Sequence, residues 1–154
     1  MLTVLMGLLA SASASPVPLT DLSHQADRVV MGEVLITHTE QDSTGAFTIA
    51  TVRVWETLRG VAAPVVDVRL PGAAFNHQDL TVHGQPTLLP GQDVVLFMSG
   101  DQLVGMGAGA FLLEGERLFN SNVARLSRST LRIGTQEDPL FASHDIQAVR
   151  AALR

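Results

Sequence analysis

Two long stretches of alternating apolar and polar residues, Arg28–Thr39 and Phe47–Leu58, flank the polar turn Gln41-Asp42-Ser43-Thr44-Gly45. A period of two sends successive side chains to opposite faces of a strand, so the pair predicts a long β-hairpin. In the first arm Val30, Gly32, Val34 and Ile36 share one face, and Val29, Met31 and Leu35 the other. In the second, Ala50, Val52 and Val54 alternate with Thr51, Arg53 and Trp55. Both faces of the first arm are partly apolar, which demands cover on both sides. Gly32 inside it predicts a bend or a close backbone approach, as at a barrel corner. Long arms, interior glycines and antiparallel neighbours favour a small β-barrel, closed or partly open, over an open sandwich, because closure removes exposed edges.

The rest of the chain fits that plan. Val65–Leu70 alternates, with Val66, Val68 and Leu70 inward, and Val94-Val95-Leu96-Phe97-Met98 predicts a central strand within Asp93–Ser99. Leu103–Met106 reads as a further strand, and Gly105, Gly107 and Gly109 share one strand face that would allow tight curvature. Phe111-Leu112-Leu113 and Arg117-Leu118-Phe119 predict a last hairpin about Glu114-Gly115. Thr20–Asp27 reads as a turn or one short helix, which Thr20 or Asp21 would cap. A C-terminal helix is expected after an N-cap at Ser143, with Ile146, Val149, Ala152 and Leu153 on one stripe. The expectation is a mainly β, OB-like antiparallel barrel over 20–119, of about five or six strands. An irregular segment and a short C-terminal α-helix follow over 120–154.

Pro71–Gly91 breaks the pattern. Prolines 71, 86 and 90 and glycines 72, 84 and 91 punctuate it, and only Leu80-Thr81-Val82 looks strand-like. It reads as an excursion from the barrel, and long loops in compact domains often carry function.

Absences exclude whole classes of chemistry. The 154-residue chain has no cysteine, so it has no disulfide framework, thiol nucleophile or thiolate metal site. All 10 basic residues are arginine, which removes Schiff-base lysines and the P-loop lysine. A net charge of −5 without a basic cluster argues against nucleic acid, whose phosphates demand concentrated cations. With 46% hydrophobic residues the chain is not disordered, yet no apolar run reaches the ~18 residues of a membrane span.

The first residues predict export. Leu2-Thr3-Val4-Leu5-Met6-Gly7-Leu8-Leu9 is apolar, and Ala10-Ser11-Ala12-Ser13-Ala14 follows with small residues at alternate positions. That is the pattern of a signal peptide over 1–14, cut after Ala14. A chain of this kind is periplasmic or extracellular, and the lack of a cysteine after the apolar run excludes a lipid anchor.

Few residues suggest catalysis. Asn76-His77-Gln78-Asp79 with His83 is the cluster to weigh for a metal, because in an extended segment His77, Asp79 and His83 share parity. A metal-dependent enzyme built on them is the alternative class. No serine has a Gly-x-Ser-x-Gly setting, and the glycines at 105–109 lack the helix of a dinucleotide fingerprint. Glu114 and Glu116 read as solvated turn residues, and Arg125, Arg128 and Arg132 as a solvated segment. Trp55, the single tryptophan, shares parity with Thr51 and Arg53 and points outward. It serves either as a binding anchor or as cover for a barrel end against the C-terminal helix.

The span Leu22-Ser23-His24-Gln25-Ala26-Asp27-Arg28-Val29-Val30-Met31-Gly32-Glu33-Val34 resembles the opening of a family of exported bacterial proteins of unknown function, L-x-x-x-A-D-x-V-V-x-G-x-V. Val52-Arg53-Val54-Trp55-Glu56-Thr57-Leu58-Arg59-Gly60 is similar to that family's V-x-V-x-E-x-L-K-G. Leu70-Pro71-Gly72, Gly84-Gln85-Pro86, Leu89–Phe97 and Val104–Phe111 follow in the family's order, so the resemblance covers about residues 20–115. The first two motifs also resemble the N-terminal domain of tissue inhibitors of metalloproteinases, which implies an OB-type barrel. Those inhibitors chelate the protease zinc through an N-terminal cysteine, which this chain lacks, so the inhibitory residues have no counterpart.

The resulting expectation is a non-catalytic binding module, without cofactor or metal, that engages a protein partner. Protease inhibition is one form of that role, and a glycan is the second class of ligand. OB-type barrels bind through one face and its loops. Here that means Trp55 and the excursion residues Phe75, Asn76, His77, Leu80 and Val82.

Overall fold

The hairpin expected at the start of the domain is the spine of the fold. β1 (Arg28–Asp42) and β2 (Gly45–Arg59) each run for 15 residues and pair antiparallel down to Asp42↔Gly45. The computed structural model describes residues 18–72, 74–75, 78–79, 86, 88–120 and 144–154. β2 pairs β3 (Val65–Pro71), and β1 pairs β6 (Asp93–Ser99), both antiparallel. β7 (Gln102–Leu103) pairs β6 antiparallel and meets β3 in parallel at Arg69↔Gln102. The order β1-β2-β3-β7-β6 therefore returns to β1, a barrel-like ring. The sheet continues from β6 through β8 (Ala110–Glu114), β9 (Arg117–Asn120) and β10 (His144–Asp145). β4 (Ala74–Phe75) and β5 (Gln78–Asp79) form a separate small hairpin. The strand count exceeds the expected five or six because several strands are only two residues long.

Two cores explain the two-sided apolar pattern. Val30, Val34, Ala50, Val52, Val68, Val94 and Leu96 fill the ring. Val29, Val95, Phe97, Phe111 and Leu118 face outward beneath α1 (Leu19–Gln25) and α2 (Ile146–Ala152), which add Leu22, Ile146 and Val149. β6 is thus buried on both faces, as its unbroken apolar run requires. The helices are also tied by polar contacts. Ser23 Oγ donates to the Ala152 carbonyl at 2.8 Å, and Arg150 makes a bidentate pair with Glu56 at 2.6 and 2.7 Å. The Arg59 guanidinium donates to the carbonyl of Ser23.

The hairpin register slips at Val29/Val30, Met31/Gly32 and Val34/Ile36, leaving Leu58, Trp55 and Leu35 as unpaired bulge residues. Each bulge bends the strand and resets its alternation. Ile36, expected on one face with Val34, is 56% exposed while Val34 is buried, because the bulge at Leu35 intervenes. Val54 is only half-buried, against the inner core. Gly32 is needed for close approach: a Cβ there would fall on the Arg53 carbonyl oxygen.

Three local expectations are corrected. No strand runs over Leu103–Met106. β7 stops at Leu103, Gly105 turns left-handed at φ 61°, and Met106–Gly109 form a 3₁₀ turn. The glycines there serve backbone contact, since a Cβ on Gly109 would lie 2.6 Å from the Val104 carbonyl oxygen. α1 begins after Pro18 with no side-chain cap, so neither Thr20 nor Asp21 caps it; burial of Leu19 and Leu22 holds it instead. α2 is capped by Asp145, whose Oδ1 accepts from the Ala148 N–H at 2.7 Å, and Ser143 lies outside the described residues.

Candidate functional site

Trp55 is the extra residue of the central bulge, and bulges commonly re-aim a side chain. It is 48% exposed. Glu56 beside it makes the bidentate contact with Arg150 of α2. The Arg150 guanidinium holds the Glu56 carboxyl below its ordinary pKa, and Glu56 raises that of Arg150 in turn. The β2–β3 connection lies nearby, where the Val54 N–H donates to the Pro64 carbonyl at 2.9 Å. Val61 and Val65 are exposed there, and Val65 pairs with Arg53, which is ion-paired to Glu33. This rim offers an aromatic anchor, two valines and a charged border.

Among the excursion residues, Phe75 sits in β4, opposite Gln78 of β5. Asn76, His77, Leu80 and Val82 lie outside the described residues, as does His83. Among the described residues no group of three or more His, Asp or Glu gathers as for a metal ion. The ends of the excursion are well anchored. The Gly72 N–H donates to the Ala46 carbonyl at 3.0 Å, and Thr48 Oγ1 donates to the Gly72 carbonyl at 2.9 Å. At the other end Leu88 enters the inner core, the Gly91 N–H donates to the Val34 carbonyl, and the Val34 N–H donates to that of Gln92. The hairpin register sets Thr48 opposite Thr39, so the two anchors are separated by roughly 17 Å along β1 at ~3.4 Å per residue. Leu35, Ile36 and Leu89 are exposed at the re-entry point.

A third feature is not anticipated by sequence reading. An open depression of about 390 Å³ is lined by Thr44 to Phe47, by Arg69 and Pro71 of β3, and by Gln102 of β7. The Arg69 guanidinium lies 3.6 Å over the Phe47 ring and pairs with Asp42 at 2.7 Å. Asp42 Oδ1 also accepts from the Thr44 hydroxyl and N–H, at 2.5 and 2.7 Å. These bonds, the Thr44 hydroxyl first and Arg69 next, hold the Asp42 carboxyl at about 2. The Asp42-Ser43-Thr44 turn was the one signal in the sequence. Arg69 and Phe47 reach it through the β2–β3 pairing, and Gln102 only through the β3–β7 contact that closes the ring.

Glu114 and Glu116 are exposed at the β8–β9 turn. No helix among the described residues is long and apolar enough to cross a membrane. No protein-family model matches this chain, and no curated protein matches it at a significant level.

Proposed function

We propose that this chain is an exported, non-catalytic binding module that takes a protein partner at the rim of its barrel. The observation that carries the reading is Trp55, nearly half exposed on a bulge of a rigid hairpin. A tryptophan costs little conformational entropy to immobilise and dominates many protein interfaces. The anchored ends of the Pro71–Gly91 excursion, with exposed Leu35, Ile36 and Leu89 beside one of them, favour a second contact region there. The leader pattern of residues 1–14 supports export, in line with the resemblance to exported bacterial proteins. A secreted protease is the first partner class to test, on the likeness to tissue inhibitors of metalloproteinases.

The test is capture from culture supernatant on the immobilised domain, with two variants. Trp55→Ala should weaken the captured partner by about 30-fold or more if Trp55 is a hot spot worth ~2 kcal/mol. Shortening the chain between Gly72 and Gly84 should abolish capture while the far-ultraviolet spectrum and Tm stay unchanged. Capture that survives both changes but is lost on removing residues 120–138 would place the site in the arginine-bearing segment and defeat the proposal.

A further inference from the structure

The depression beside the β1–β2 turn has the chemistry of a second, separate site. Arg69 is fixed in three ways: its backbone N–H donates to the Asp101 carbonyl at 2.7 Å, its guanidinium lies on Phe47, and Nη2 pairs with Asp42. Its Nε and Nη1 groups donate to no described residue, and the exposed Gln102 amide beside it is equally unused. Asp42 is half committed, with Oδ1 taking both bonds from Thr44 and Oδ2 the one from Arg69. The depression therefore presents the Arg69 guanidinium and the Gln102 amide side by side, while Asp42, outside the lining, holds Arg69 in place, so little entropy is lost when a ligand engages the guanidinium.

The charges select the ligand class. An anion that approached Arg69 would also meet Asp42, on a chain of net charge −5. A cation that approached Asp42 would meet Arg69. A neutral ligand whose adjacent groups each donate and accept is opposed by neither. Vicinal hydroxyls have that property: one donates to the Gln102 amide oxygen while its neighbour accepts from the Arg69 guanidinium. The volume lies in the ~300–1,000 Å³ range of small-ligand sites. We propose that the depression between the β1–β2 turn, Arg69 and Gln102 binds a neutral glycan through a diol.

Affinity electrophoresis of the full chain through gels holding xylan, glucomannan or mixed-linkage β-glucan tests this, with polygalacturonate as the anionic arm. At least one neutral polysaccharide should retard the protein. Gln102→Ala, which removes no internal bond among the described residues, should weaken that retardation at least tenfold, and Asp42→Asn, which loosens the ion pair that fixes Arg69, should weaken it too. Trp55→Ala should leave it unchanged, which separates this site from the protein-partner reading. No retardation in any neutral gel would overturn the proposal. So would retardation by polygalacturonate alone, or by a neutral polysaccharide equally in wild type and Gln102→Ala.

Discussion

Replacing Phe97 by alanine is the sharpest test of the two-core architecture. Phe97 has 0% exposure and lies in the outer core with Val29, Val104, Leu118 and Val149. Its ring meets Phe111 edge-on, at 5.9 Å between centroids and 68° between planes. A buried phenylalanine hides ~150–250 Å². At ~25 cal/mol per Å² that is an upper bound of roughly 4–6 kcal/mol, part of which the alanine Cβ retains. Measured losses for such truncations run ~3–5 kcal/mol. For a domain of this size a loss near the middle of that range lowers Tm by roughly 10–15 °C. Urea titration should show the midpoint fall with an unchanged slope, since the unfolded chain exposes about the same surface. Phe97→Leu should lose less, because it keeps most of the apolar volume. A Phe97/Phe111 double-mutant cycle should return a coupling of ~0.5–1.5 kcal/mol. A loss below ~1 kcal/mol for Phe97→Ala would mean that the ring is not enclosed and that the helices do not cover β6.

Gly32→Ala should cost ~1–3 kcal/mol of stability, as other overpacking changes do, and so lower the urea midpoint, because the new Cβ meets the Arg53 carbonyl across the hairpin. Acid should remove a small stabilising contribution from Asp42. Its folded pKa is depressed from the ordinary 3.8 to about 2, so the contribution is present above pH 4 and lost as pH falls toward 2. Solvent screening keeps it small at this exposed site. Urea midpoints of wild type and Asp42→Asn should differ at pH 6 and converge near pH 2; a difference that persists there would refute the assignment. Intact-mass analysis of protein from the native host should find a mature chain that starts at Ser15. A cytoplasmic species that retains Met1–Ala14 would refute export.

Strand alternation made the spine of this fold legible in advance. Val66–Leu70 and the β1–β2 hairpin are strands, because a period-two pattern leaves a chain few other ways to bury its apolar face, and the unbroken apolar run Val94–Met98 is a strand buried on both faces. The apolar residues on both sides of β1 likewise required cover on both sides, and α1 and α2 supply the outer layer. Bulges were not legible. Their positions follow from how two twisted arms must bend to close a ring, so Ile36 went to solvent and Trp55 became an unpaired residue. The glycines at 105 and 109 signalled a special backbone, but a tight turn over β6 and a curved strand leave the same mark in the sequence. Composition by itself removed thiol and lysine chemistry. Tertiary structure alone completed the Arg69–Asp42–Phe47 group with Gln102, because the β3–β7 contact that sets Gln102 beside Arg69 closes the ring between strands far apart in the chain, and no local pattern encodes it.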